Sequence, residues 1–269
     1  MTAATTIKTL AKDSLARAAQ MIVPSLPFAG VFLVSVGGLV WSANTLPDDT
    51  RGSLAFIGVV LLCLFAHSLF SAAMYRASLP PHGGLLAAAW RLTLAWLLMI
   101  VVVSIIAAII VLFFSLFGTV LGVAMGDETA FERGEVVDIS EQMRASGVFL
   151  PMFLVFLLVL FWVFWFAVRM MTFAAASVSR GGVHVFRTWF WTKHHFRQLA
   201  PLMVALIALP VIISSAVGAA MISLIPSPDG PFSYALTAIL FTAMTLPTAW
   251  LGHGFAAAVY TMLAPPIEP

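Results

Sequence analysis

The chain has 269 residues, of which 62% are hydrophobic and 9% charged, and its mean hydropathy is +1.06. A water-soluble domain carries about 25% charged and about 45–50% apolar residues, so too few polar side chains are present here to coat a water-facing globule. This excludes a soluble enzyme and leaves a polytopic membrane protein, whose helices satisfy their own backbones in lipid. Cys63 is the single cysteine, so no intrachain disulfide framework exists.

In chain order, the segment 5–20 places Ile7, Leu10, Ala11, Leu15 and Ala18 at helical spacing, with Lys8, Lys12, Asp13 and Arg17 elsewhere on the wheel. The pattern predicts an interfacial amphipathic helix over 1–20. Six apolar runs follow, at 21–41, 54–75, 92–123, 148–178, 202–224 and 234–260, each long enough to cross a bilayer. The expected fold is therefore all-α: a six-helix transmembrane bundle over 21–264, preceded by the interfacial helix and followed by a short tail at 265–269. The first run exceeds the ~7–15 residues of a signal-peptide core, which predicts an uncleaved span. Tyr75, Tyr234, Tyr260 and Trp41 fall at run ends, where amphipathic rings are expected to sit among the headgroups.

Charge gives the orientation. One side holds Lys8, Lys12, Arg17, Arg76, Arg91, Arg169, Arg180, Arg187, Lys193 and Arg197 with only Asp13 and Glu268; the other holds Arg51, Arg133 and Arg144 with nine acids. Lys and Arg mark the cytoplasmic side, so both termini are expected there. The sequence pI of 9.0 reflects this asymmetry, and no nucleic-acid partner is expected. The segment 126–147, with six acids from Asp127 to Glu141, reads as a small extracytoplasmic cap. It lacks the spacing and glycine of a calcium loop, and no metal is expected.

The loop 180–197 interleaves Trp189, Trp191 and three phenylalanines with Arg180, Arg187, Lys193 and Arg197. Aromatic rings prefer the interface, and each nearby cation contributes about 1 kcal/mol against anionic lipid, so this segment is expected to lie on the membrane surface. Arg169, near the end of the fourth run, is expected to reach headgroup phosphate with help from Arg76. A membrane-protein partner on the same face is the other expectation.

No Asp or Glu lies inside an apolar run, and no nucleophile elbow, zinc helix or Walker loop occurs. Carboxylate relays, metallohydrolases and ATPases thus lack their required groups; no catalytic residue and no cofactor is expected. Two histidines at membrane depth, His67 and His253, are candidate polar lining of a crevice. Pro210 with Ser214 and Ser215, and Pro247 with Thr245 and Thr248, interrupt the fifth and sixth runs and would open that crevice between them, the basis of an alternative transporter or channel reading. Gly118, Gly122 and Gly126 form a small-residue stripe suited to close helix packing, within the chain or in an assembly of copies, which makes a structural subunit the third reading.

The stretch Ala77-Ser-Leu-Pro-Pro-His-Gly-Gly84 is echoed by Ala176-Ser-Val-Ser-Arg-Gly-Gly182, each between two runs on the same side, which suggests a weak duplication of a two-span unit. A small-residue helix end, a basic Gly-containing turn, an aromatic segment and a proline-started span, over 173–201, resemble the membrane domain that precedes the catalytic domain of some bacterial glycerophosphodiester phosphodiesterases. They are also similar to the stand-alone YciC-like inner-membrane proteins. The resemblance implies a six-helix protein of the bacterial cytoplasmic (inner) membrane without an established molecular activity; engagement of lipid or a partner in envelope or lipid homeostasis is the function expected from the basic aromatic face. The phosphodiesterase chemistry of the fused proteins resides in a soluble barrel that this chain has no room for, and Ser179 and Arg180 stand where those families place an acid in the turn.

Overall fold

The computed structural model describes residues 3–124, 149–223 and 230–266. Among these the secondary structure is helical without strands: α1 (Ala3–Thr45), α2 (Thr50–Ser78), α3 (Leu85–Ala124), α4 (Phe149–Met170), α5 (Phe173–Ser179), α6 (Arg187–Trp191), α7 (Phe196–Met203), α8 (Leu209–Ser223) and α9 (Pro231–Leu263). A π-helical turn, Val204–Ala208, joins α7 to α8. Six stretches are long and apolar enough to cross a membrane, from Ile7–Thr45 through Pro231–Leu263, and the chain is a multi-pass integral membrane protein. Gly118 and Gly122 lie on α3; Gly126 and the acidic segment expected over 126–147 are outside the described residues.

Two of the expected boundaries differ. The interfacial helix over 1–20 and the span over 21–41 form one continuous helix, α1, carrying Pro24 and Pro27 within it. The physical reason is its partner: Leu10, Ser14, Ala18, Met21, Ser25 and Ala29 are buried at successive turns, so the face that resembles a lipid anchor is packed in protein. The expected fourth span breaks at Met171 and Thr172, between α4 and α5, directly after Arg169. In the fifth span, the N–H of Leu209 reaches Val204 O, five residues back. This widened turn sits just before Pro210, whose ring crowds the carbonyl four residues earlier.

The structure divides into two compact units, Met1–Trp96 with Ala167–Pro269, and Leu97–Phe166. In the second unit, apolar side chains such as Ile109 and Leu154 are exposed, as lipid-facing groups are, and Trp162 meets Trp165 edge to face at 5.2 Å.

Within the first unit, α1 runs antiparallel to both α2 and α9. Phe32 stacks on Phe70, Trp250 Nε1 donates to Ser25 Oγ at 3.0 Å, and Arg17 Nη1 donates to Ser78 O at 2.8 Å. The start of α1 and the end of α9 therefore lie at the same end. Buried residues concentrate there: Ala72, Ala73, Met74 and Tyr75 of α2, Ala88, Ala89 and Leu92 of α3, all of α5, and Phe255–Tyr260 of α9. Tyr75 and Tyr260, expected at the headgroups, belong to this core, whereas Trp41 and Tyr234 are exposed. The core is rich in alanine, and small residues let backbones approach where lipid supplies no hydrophobic drive.

The closest approach is at Gly254, where a Cβ would lie 2.5 Å from Ser14 O and 2.7 Å from Ala18 N. Both are backbone atoms and cannot rotate away. Gly254→Ala is expected to cost about 1–3 kcal/mol through forced separation of α1 and α9. Gly38→Ala, where nothing lies within 4 Å, serves as the control and should be neutral or stabilising. Thermal unfolding of the two variants in detergent checks this, and equal midpoints would refute it.

Candidate functional site

The end that carries the termini is built around two glycine turns. α2 ends at Ser78 and α5 at Ser179, and the first glycine of each following pair, Gly83 and Gly181, has φ of +76°. Only glycine adopts that conformation freely, so the sequence echo has a conformational echo. The two turns touch. His82 N–H donates to Val178 O at 3.4 Å, and the His82 ring covers Gly181 so closely that a Cβ there would lie 2.2 Å from Cδ2. Arg76 Nη1 donates to Gly83 O, and Arg91 Nη2 to His82 O at 2.6 Å, which fixes the first turn.

The basic aromatic segment leaves the second turn and has two faces. Val185, Thr188 and Thr192 are buried, while Phe186 and Phe190 are 52% and 70% exposed. Arg187, Lys193 and Arg197 are exposed as well. The segment thus presents three cations and two aromatic rings outward from an anchored inner face. Phe186 and Phe190 were not singled out in the sequence; their signal is the four-residue spacing opposite the 185, 188, 192 stripe.

The remaining expected residues point inward. Arg169 is 3% exposed, with its guanidinium 4.7 Å above the Trp189 ring, and its carbonyl accepts from Thr192 Oγ1 at 3.0 Å. It is buried instead of reaching the surface, as the sequence suggested, because Trp189 and Thr192 of the returning segment pack on it. Trp189 and Trp191 are half-buried and hold arginines instead of lying free on the surface. The Arg180 guanidinium lies 4.8 Å over Trp191 and 5.7 Å over Tyr260; its Nε donates to Tyr260 Oη at 3.0 Å and its Nη2 to Pro265 O.

The two intramembrane histidines each have partners of their own within the fold. His67 sits between the rings of Phe32 (5.2 Å) and Trp96 (5.4 Å), on α1 and α3. His253 Nδ1 lies 2.7 Å from Ala249 O and so carries the proton; Nε2, 3.0 Å from Ser71 Oγ, accepts from that hydroxyl. This is the bond of a nucleophile to its base. Ser71, however, is buried in mid-helix, where neighbouring N–H groups are spent on the helix ladder and offer no oxyanion donors. The bond ties α9 to α2.

The hydroxyls near the two prolines bond their own helices: Ser214 to Pro210 O, Thr245 to Thr242 O and Thr248 to Thr245 O. Ser215 is half-buried beside them on α8. Between α8 and α9 the Phe241 ring packs on Gly218, where a Cβ would lie 2.9 Å from it. Among the described residues no three His, Cys, Asp or Glu side chains converge as metal ligands do.

His184 lies at the root of the basic segment, its N–H donating to Ser177 Oγ at 3.1 Å and its Nε2 buried without a hydrogen-bond partner. Burial, and then the neighbouring Arg187 and Arg180 charges, hold its imidazole below the ordinary value of 6.5, against a raising contribution from its backbone bond to Arg180. The native state favours the neutral ring, so between that lowered value and 6.5 the unfolded segment binds more protons. The contribution of His184 to docking is fully present above pH 6.5 and is lost as pH falls through the lowered value. Tryptic cleavage at Arg187 and Lys193 in detergent is expected to accelerate on acidification, and the acceleration should shrink in His184→Asn; an unchanged pH response in that variant would exclude His184 as its source.

Compared with models of protein families, with characterised proteins and with solved structures, the chain has no match in any of the three.

Proposed function

We propose that this is a non-enzymatic protein of the bacterial cytoplasmic membrane, with both termini in the cytoplasm, whose basic aromatic segment engages anionic lipid headgroups in envelope or lipid homeostasis. The observation that carries the reading is the outward set Arg187, Lys193 and Arg197 beside the exposed Phe186 and Phe190, on a segment whose other face is buried. Rings of this kind enter the headgroup layer, and cations beside them meet lipid phosphate. Charge supports it. Among the described residues at this end, Asp13 is the sole acid, and it is already paired with Arg17 at 2.9 Å. The positive excess is therefore not neutralised among the described residues. The resemblance of 173–201 to the inner-membrane families named above points the same way.

Neutralising all three outward cations (Arg187→Gln, Lys193→Gln, Arg197→Gln) removes about 1 kcal/mol each, and anionic-lipid retention should fall on the order of a hundredfold. Native mass spectrometry of the protein released from phosphatidylglycerol-containing micelles measures it; equal retention by parent and variant would remove the proposal. A fluorescent reporter fused after Pro269 is expected to report a cytoplasmic C-terminus, and a periplasmic signal would put the basic segment on the wrong side for it.

A further inference from the structure

Arg180 differs from the other cations of its segment in being framed. Two aromatic faces, Trp191 and Tyr260, hold the guanidinium in place, and its donors meet only neutral acceptors, a phenol oxygen and the carbonyl of Pro265. A guanidinium oriented in this way is well suited to a phosphate oxyanion, which can accept two parallel N–H bonds and pairs its charge with the cation, whereas a carbonyl offers one neutral oxygen. The site is reachable: Arg180 is only partly buried, and Pro265 and Pro266 are exposed. The Pro265 carbonyl is thus the weaker occupant of a donor that an anion would take.

We infer that Arg180, Trp191 and Tyr260 form a phosphate site, that its ligand is the phosphate of an anionic phospholipid, and that the segment around Pro265 fills the site until the ligand displaces it. The inference rests on the lipid reading above and adds to it a second seat, distinct from Arg187, Lys193 and Arg197, with an internal competitor. Engagement of lipid at Arg180 frees the C-terminal segment. Surface binding through the outward cations does not by itself do so.

The test places a nitroxide at position 266 of the full chain (Pro266→Cys in a Cys63→Ser background) in neutral detergent micelles and follows its mobility. Dihexanoyl-phosphatidylglycerol should mobilise the label, while dihexanoyl-phosphatidylcholine should not. Inorganic phosphate at the same concentration separates the sources: release by it alone supports the site and assigns free phosphate as the ligand, and release only by the lipid assigns the headgroup. In Arg180→Gln the label should be mobile from the start and insensitive to lipid.

A label that stays immobile with both anions, or that responds equally to phosphatidylcholine, overturns the inference. Ending the chain after Ala264 leaves the core untouched and should raise phosphatidylglycerol retention about fivefold, the worth of one net hydrogen bond; unchanged or lower retention overturns the inference independently of Arg180→Gln. The two readings fail separately. A protein that retains phosphatidylglycerol through its outward cations without moving the label loses the Arg180 site alone, and one whose label still responds after those cations are neutralised without loss of retention loses the surface reading alone.

Discussion

Apolar helices in lipid gain nothing by hiding from their solvent, so this molecule is held together where its backbones come closest. That constraint is met at one end. The contact of Gly254 with the Ser14 and Ala18 backbone, the alanines of α2, α3, α5 and α9, and the wholly buried α5 form a core in which side chains are small and main chains near. Elsewhere in the same unit, residues such as Leu54, Leu62 and Ile212 are exposed, which in a bilayer is solvation by acyl chains. The basic segment depends on this knot, because Thr192 bonds back to Arg169 and Trp191 packs at 6.0 Å on Tyr260.

The cations of this end are satisfied in an unusual currency. Arg17, Arg76, Arg91 and Arg180 each donate to a main-chain carbonyl at or near a turn or helix end, at Ser78, Gly83, His82 and Pro265. Helix C-termini carry partial negative charge, and a guanidinium there completes hydrogen bonds that the helix leaves open. Such bonding fixes the turns and leaves the formal positive charge intact. A structure that used carboxylates for the same purpose would have no field left to offer a membrane surface.

The spans themselves were legible because length and apolarity alone decide whether a helix can cross lipid, and Asp49, which caps α2 through Gly52 N–H at 2.6 Å, marks a boundary in the usual way. What could not be read was which neighbour each face meets. The stripe Leu10, Ala18 looks the same whether it covers headgroups or α9, and the tyrosines at positions 75 and 260 fit an interface by position while being buried by partners far along the chain. Arg169 resembled a snorkelling cation because nothing near it in the sequence shows that Trp189 and Thr192, some twenty residues on, pack over it. At the site, the composition of 180–197 indicated a surface segment; the division into buried Arg169, ring-framed Arg180 and outward Arg187, Lys193 and Arg197 required the fold.

The pairing of α1 with α9 also sets an order of events. α1 finds its closest neighbour in α9, and the roughly 240 residues between Ser14 and Gly254 take on the order of ten to fifty seconds to synthesise at about 5–20 residues per second. Throughout that interval the polar stripe of Ser14 and Ser25 faces lipid or whatever insertion machinery shelters it. Closure of this pair is thus a late step, and a nascent chain stalled before α9 carries an open seam along α1.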